Sequence, residues 1–257
     1  MIKKMIIILI NLFLFACIDI ITEEEFYESI HLEKSGWVEF YENNVGENIE
    51  LNQNFTIQVW FSSQELLDLE APCIANINNE LWDLAVFRNP NVNNLLMIYL
   101  NQELASEIEI TEVDFDNKNN FYLLSIVVEN TSISIYLNEA LIFQESVESN
   151  QNQKLIVGAN KYENSISNLW YGYVDEIRIW NEALHDSVIT FHNQYKYKIS
   201  SSYDDNYLES LIGLWDFRLN TEGESPTNIF QDINEYNTYS IIYTFGNTKN
   251  EFSTNGR

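Results

Sequence analysis

Cysteine is almost missing from this chain. Among 257 residues only Cys17 and Cys73 are cysteines, so a framework of several disulfides is excluded. Proline (3) and glycine (8) are scarce too, which rules out a proline-rich linker or a collagen-like tract. Histidine occurs three times, as His31, His185 and His192. The last two are seven apart, with no third ligand in view, so no zinc site is expected. Positive charge is short as well: 13 Lys and Arg stand against 39 Asp and Glu, for a net charge of −26. A surface of that sign repels phosphate backbones, so nucleic acid is not expected as a partner. It favours solubility and attracts cations, Ca²⁺ among them. The Gly-x-Ser-x-Gly elbow, the phosphate-binding loop, the Cys-x-x-Cys pair and the dinucleotide fingerprint are all absent.

What is present begins with an export signal. Lys3 and Lys4 precede an apolar run over residues 5–15, broken only by Asn11. The run is too short to span a bilayer comfortably, and basic-then-apolar is the order of a secretory signal. It ends in "LFAC" (14–17), which resembles a bacterial lipobox. That resemblance implies cleavage after residue 16 and a diacylglyceryl group on Cys17; the alternatives are an ordinary signal peptide or an anchor helix. Buried acyl chains contribute about 0.8 kcal/mol per CH₂, enough with several chains to hold a protein on a membrane. Cys73 would then be the sole unmodified cysteine, expected as a small buried hydrophobe, and the fold would rest on packing alone. Residues 17–29 read as an acidic tether. Ile18 stands where the inner-membrane retention signal of lipoproteins has Asp, which favours the outer membrane or cell surface of a bacterial envelope.

Beyond the tether, hydrophobic residues make up 46% of the chain and aromatics 14%, enough for a real core in one large all-β domain. Alternation at period two dominates. In "FTIQVWFSS" (55–63), Phe55, Ile57, Val59 and Phe61 share one face, and Thr56, Gln58, Trp60 and Ser62 the other. "FYLLSIVV" (121–128) is apolar throughout, as suits a strand covered on both sides. Residues 129–131 form the turn to "SISIYL" (132–137). Further strands are expected at 36–41, 81–88, 95–101, 154–158 and 211–219. Asparagine clusters at 89–94 and 116–120 read as turns. Residues 182–195 alone look helical, with Asp186 as a candidate N-cap and Val188, Ile189 and His192 on one face. The expected architecture is an antiparallel β-sandwich with one short helix, a single domain over residues 30–252 followed by a tail, 253–257.

Four stretches resemble the laminin-G-like, pentraxin-related jelly rolls of the concanavalin A-like lectin/glucanase superfamily: residues 36–61, 119–142, "KLIVGAN" (154–160) and "YGYVDEIRIWNEAL" (171–184). The last is the most telling: glycine, an apolar residue, Asp-Glu, an alternating strand, then the helix. The chain departs from the family pattern at Phe121 and Glu139, where Trp and Gly are usual. "LIGLWDFRL" (211–219) resembles a strand that often opens such domains. Placed here, it either closes the same sandwich in permuted order, the reading preferred, or begins a degenerate second copy. The resemblance implies a binding module that takes a glycan or another extracellular ligand through loops at one rim.

Two acidic stretches bear on chemistry in this frame. Strict alternation in residues 171–180 sends Asp175 and Glu176 to opposite faces, so they cannot work as an acid/base pair. Asp175 is expected to accept hydrogen bonds at the sheet end or, failing that, to bind a metal. "EVDFD" (112–116) resembles the strand motif of laminarinase-type glycoside hydrolases, with Glu112, Asp114 and Asp116 on one face. Asp116 replaces the second Glu, and its shorter side chain opens the carboxylate spacing that retaining hydrolysis needs. Asp114, Asp116 and Asn117 also offer oxygen ligands to Ca²⁺, without the spacing of an EF-hand loop. Trp60 and Trp180 lie opposite the aliphatic faces and are the candidates for sugar stacking. No cofactor other than Ca²⁺ is suggested. A non-catalytic, lipid-anchored glycan-binding module is the leading reading; a structural or adhesive protein that binds other proteins and a glycoside hydrolase are the alternatives.

Overall fold

Strand β3 (Phe55–Ser63) is buried at every position, although its sequence alternates between apolar and polar. Full burial of such a strand requires cover on both faces, and the computed structural model supplies it. The structure describes residues 29–33, 37–39, 51–63, 70–148, 153–162, 165–196, 210–216 and 251–253. The expected export signal, Cys17, the expected tether up to residue 28 and the segment 217–250 lie outside the described residues.

The described strands, in chain order, are β1 (Ser29–Glu33), β2 (Val38–Glu39), β3, β4 (Cys73–Asn78), β5 (Asp83–Arg88), β6 (Leu95–Leu100), β7 (Glu103–Glu109), β8 (Tyr122–Glu129), β9 (Ser132–Leu137), β10 (Ala140–Ser146), β11 (Lys154–Val157), β12 (Asn160–Tyr162), β13 (Ser165–Ser167), β14 (Tyr171–Trp180), β15 (Leu211–Asp216) and β16 (Glu251–Ser253). The helix α1 (Asp186–Gln194) lies between β14 and β15. One sheet runs β10-β9-β8-β3-β14-β1-β16, with β15 also paired to β14, and the second runs β2-β11-β4-β5-β6-β7. A small hairpin joins β12 to β13. All pairings among the described residues are antiparallel. The expected all-β sandwich is what forms, and residues 211–216 belong to the first sheet.

Between the sheets lies a core built from inward positions of both, including Phe55, Ile57, Val59 and Phe61 of β3 and Leu84, Val86, Leu96 and Ile98 from the second sheet. Each such side chain contributes roughly 1.5–3 kcal/mol on burial. Asparagine supplies the hairpin turns: Asn101, Asn130 and Asn138 all take positive φ, a conformation asparagine tolerates better than most residues. Cys73 is fully buried, and burial pushes its thiol well above the ordinary cysteine range.

The outer face of the first sheet is covered by α1. Val127, Tyr136, Trp180, Leu184, Val188, Ile189 and Leu211 form a second apolar cluster there, which is why β8 is apolar on both sides. His185, not Asp186, caps the helix: its imidazole accepts from the Ser187 N–H at 3.2 Å. Asp186 sits one residue inside and accepts from the Tyr136 hydroxyl at 2.7 Å, tying helix to sheet. His192 is fully buried and stacks on Trp180 with ring centroids 5.4 Å apart.

Burial, aided by the Arg178 charge, lowers the His192 pKa from 6.5 to about 2. The folded value lies below the unfolded one, so this histidine costs the fold nothing above pH 6.5. Stability is lost as pH falls from there towards 2, at about 1.4 kcal/mol per pH unit for one group. Urea melts between pH 7 and pH 5 are therefore expected to show a loss that His192→Gln flattens.

Candidate functional site

The inward parity of β5 runs Leu84, Val86, Arg88, and that of β3 runs Val59, Phe61, Ser63. The last inward position of each strand is thus polar, and the two meet across the mouth of the sandwich. Arg88 donates to the Ser63 hydroxyl at 2.5 Å and pairs with the Asp116 carboxylate. Arg88 is 2% exposed and Asp116 42%, so the cation is set inside the rim and its partner faces water. Desolvation lowers the Arg88 pKa, opposed by the neighbouring Asp116 and Asp114 charges.

Two loops close over this pair. In the first, residues 89–94, Asn89 Oδ1 accepts from the N–H groups of Asn91 and Val92. In the second, residues 110–121, buried Phe115 sits 5.3 Å from Tyr122, edge to face, and 6.0 Å from Phe61. The loops bond to each other: Phe115 N–H donates to the Asn93 carbonyl at 3.0 Å, and Asn93 Nδ2 to Asp114 Oδ1 at 3.1 Å. The Tyr122 hydroxyl bonds both the N–H and the carbonyl of Asp114, and Ser62 Oγ donates to the Lys118 carbonyl. The result is a braced polar rim whose outer surface carries Asn91, Asn93, Asp114, Asp116 and Asn117.

The acids of the hydrolase-like motif come out differently from expectation. Residues 111–121 are turns, not a strand, so Glu112, Asp114 and Asp116 have no sheet to hold them in a row. Glu112 is exposed, Asp116 is engaged by Arg88, and one oxygen of Asp114 takes two N–H donors, from Asn93 and Asp116. As Ca²⁺ ligands, Asp114 and Asp116 already have protein partners, and the Asn117 side-chain oxygen accepts from Asn119. Among the described residues, no three His, Cys, Asp or Glu side chains are grouped as a cation requires.

Asp175 belongs to a separate cluster, and there the strand does not alternate strictly. From Val174 to Ile177 is three steps on β14, but their partners on β3, Phe61 and Val59, are only two apart. The extra residue makes a β-bulge at Asp175–Glu176, opposite Trp60. Val174, Ile177 and Ile179 all enter the core, which strict alternation forbids. Both acids are buried, with cations from the same side: Asp175 pairs with Lys196 and Glu176 with Arg178. The Arg178 guanidinium lies 4.8 Å from the Trp60 ring centroid and also donates to the Lys196 carbonyl. The two acids share one surface of the sheet, each neutralised by its own base. They are structural ion pairs, not an acid/base couple.

Trp60 and Trp180 do lie on the outer face of β3 and β14, but they are 3% and 0% exposed. Arg178 and Lys196 cover the first, and α1 covers the second. Neither ring presents a face to solvent on which a sugar can stack.

The comparisons with known proteins agree with this frame. A laminin-G-type family model, described as the concanavalin A-like lectin/glucanases superfamily, matches residues 33–190. The chain belongs to that superfamily. No curated protein sequence matches it. Of solved structures with this fold, a protein of Bacteroides ovatus assigned to carbohydrate binding is 11% identical, with a TM-score of 0.51, covering 77% of this chain and 54% of that one. A heptameric pentraxin from Limulus polyphemus is 12% identical, with a TM-score of 0.47 and coverages of 67% and 84%. The sialyllactose-bound CBM40 module of a Ruminococcus gnavus sialidase is 10% identical, with a TM-score of 0.46 and coverages of 65% and 96%. At these identities the similarity concerns the fold.

Within this concanavalin A-like frame, sequence reasoning missed Arg88 and the bulge, and both left a signal. An arginine at the inward parity of a strand end points to a polar partner inside the rim. Two adjacent acids between Val174 and Ile177, in a strand otherwise alternating, mark an inserted residue.

Proposed function

We propose that this protein is a non-catalytic glycan-binding module that takes its ligand at the Arg88–Asp116 rim and is held on the bacterial envelope by a lipid on Cys17. The observation that carries the reading is the braced rim itself. Two asparagine-rich loops are fixed to each other and to strand ends, so their amide and carboxylate groups are preorganised to hydrogen-bond hydroxyls without a large ordering cost. Membership of the lectin/glucanase superfamily supports a carbohydrate ligand. The hydrolase alternative loses its support where Glu112, Asp114 and Asp116 fall in turns and Asp116 is tied to a cation.

A glycan array probed with and without Ca²⁺ tests the reading. Binding that persists in chelator fits an Asp116 that stays with Arg88; binding that needs added Ca²⁺ means that Asp116 leaves it for the metal. Silence in both arms, with envelope proteins captured instead, favours the adhesive role. Sugar release from β-glucans that Glu112→Gln abolishes establishes the hydrolase. For the anchor, Cys17→Ser is expected to move the protein from the membrane fraction to the soluble one; retention in the membrane removes the lipid.

A further inference from the structure

The bulge at Asp175–Glu176 does more than neutralise charge. It sets the Asp175 carboxylate, 1% exposed, beside a cation that also meets two aromatic rings, Phe121 and Trp60. That cation is the ammonium of Lys196, just beyond the C-terminal end of α1. Its Nζ pairs with the carboxylate and lies 4.8 Å from the Phe121 centroid and 5.9 Å from that of Trp60. A carboxylate and two ring faces around one ammonium form the arrangement by which proteins recognise alkylammonium ligands. The Lys196 side chain is only 9% exposed, and lysine is rarely buried to that extent without a dedicated partner. The three cage residues come from β14, β3 and the residue just before β8, and none from the segment that carries the lysine.

We propose that Asp175, Trp60 and Phe121 form a primary-alkylammonium site, filled by the chain's own Lys196. The site ties Lys196, two residues past the end of α1, to the sheet through a ligand that is exchangeable in principle. An external amine of lysine type takes the same place once the Lys196 side chain is removed. Arg178 stays with Glu176, its guanidinium 4.8 Å from the Trp60 centroid.

The test is cavity rescue. Lys196→Ala removes the resident ammonium and leaves the cage. Butylammonium is expected to raise the melting temperature of this variant saturably in the millimolar range and to leave the wild type unmoved, while butanol, of similar size but neutral, does far less. Lys196→Ala with Asp175→Asn loses the response, and Lys196→Met, which fills the cavity without charge, never gains it. If Lys196→Ala does not fold alone, butylammonium must restore its cooperative melt. The proposal is overturned if butylammonium stabilises Lys196→Ala no more than butanol does, no more than it stabilises the wild type, or fails to refold an unfolded variant.

Discussion

Gly172→Ala is expected to cost this protein about 3 kcal/mol or more, the upper end of what overpacking does. Gly172 pairs with Ser63 across β14 and β3. A Cβ there would stand 2.1 Å from the Ser62 carbonyl oxygen, 2.8 Å from Ser63 Cα and 2.8 Å from the Trp170 indole nitrogen. The first two are backbone atoms of a central strand and cannot swing aside as a side-chain tip can. Trp170 is itself fully buried, edge-on to Phe61 at 5.6 Å, and has no room to retreat. The glycine of the Tyr171–Trp180 strand is thus a packing requirement of the rim: it lets the two central strands and an indole meet. Urea denaturation measures the effect. A loss below about 1 kcal/mol would show that β14 shifts to admit the methyl group.

Breaking one half of the buried pair on the outer face ranks beside it. Glu176→Gln leaves the Arg178 guanidinium, 1% exposed, facing a neutral amide. Removing one partner of a buried pair typically costs about 3–5 kcal/mol, because the remaining charge is desolvated without compensation. The amide can still accept from Arg178 Nε, so the lower end applies. Glu176→Gln combined with Arg178→Met is expected to recover much of the loss, since methionine fills volume under Trp60 without a charge. Equal losses in the single and double variants would mean that the cation, not the pairing, supports this face. The double-mutant cycle separates the two outcomes.

Much of the architecture could be read from residue order. β3, β8 and β9 announce themselves by period two or by an unbroken apolar run, and α1 by the spacing of Val188, Ile189 and His192. The edge strands were harder. β7 and β10 are largely exposed, so their residues have little burial to report and their glutamates resemble loop. The bulge escaped because alternation assumes an uninterrupted ladder: one inserted residue moves Asp175 and Glu176 to the same side. Exposure of Trp60 and Trp180 was a reasonable inference from strand parity, which does place them away from the core. Parity is silent on a helix that returns to lie on the outer face. The Arg88–Asp116 contact joins residues 28 apart through loop geometry, and short-range patterns do not encode such contacts.

The proposed role of the braced rim is to bind glycan and leave it uncut. It is tested most directly by titrating an array-selected oligosaccharide into the wild type, Asn93→Ala and, as a control on edge strand β10, Leu141→Ser. Asn93 carries the amide that ties the two rim loops together, so its loss is expected to weaken binding about tenfold, the equivalent of one net hydrogen bond. Leu141→Ser should bind as the wild type does, with the oligosaccharide recovered intact in every case. Equal affinity for the wild type and Asn93→Ala, or a shortened oligosaccharide at the end of the titration, would contradict the account.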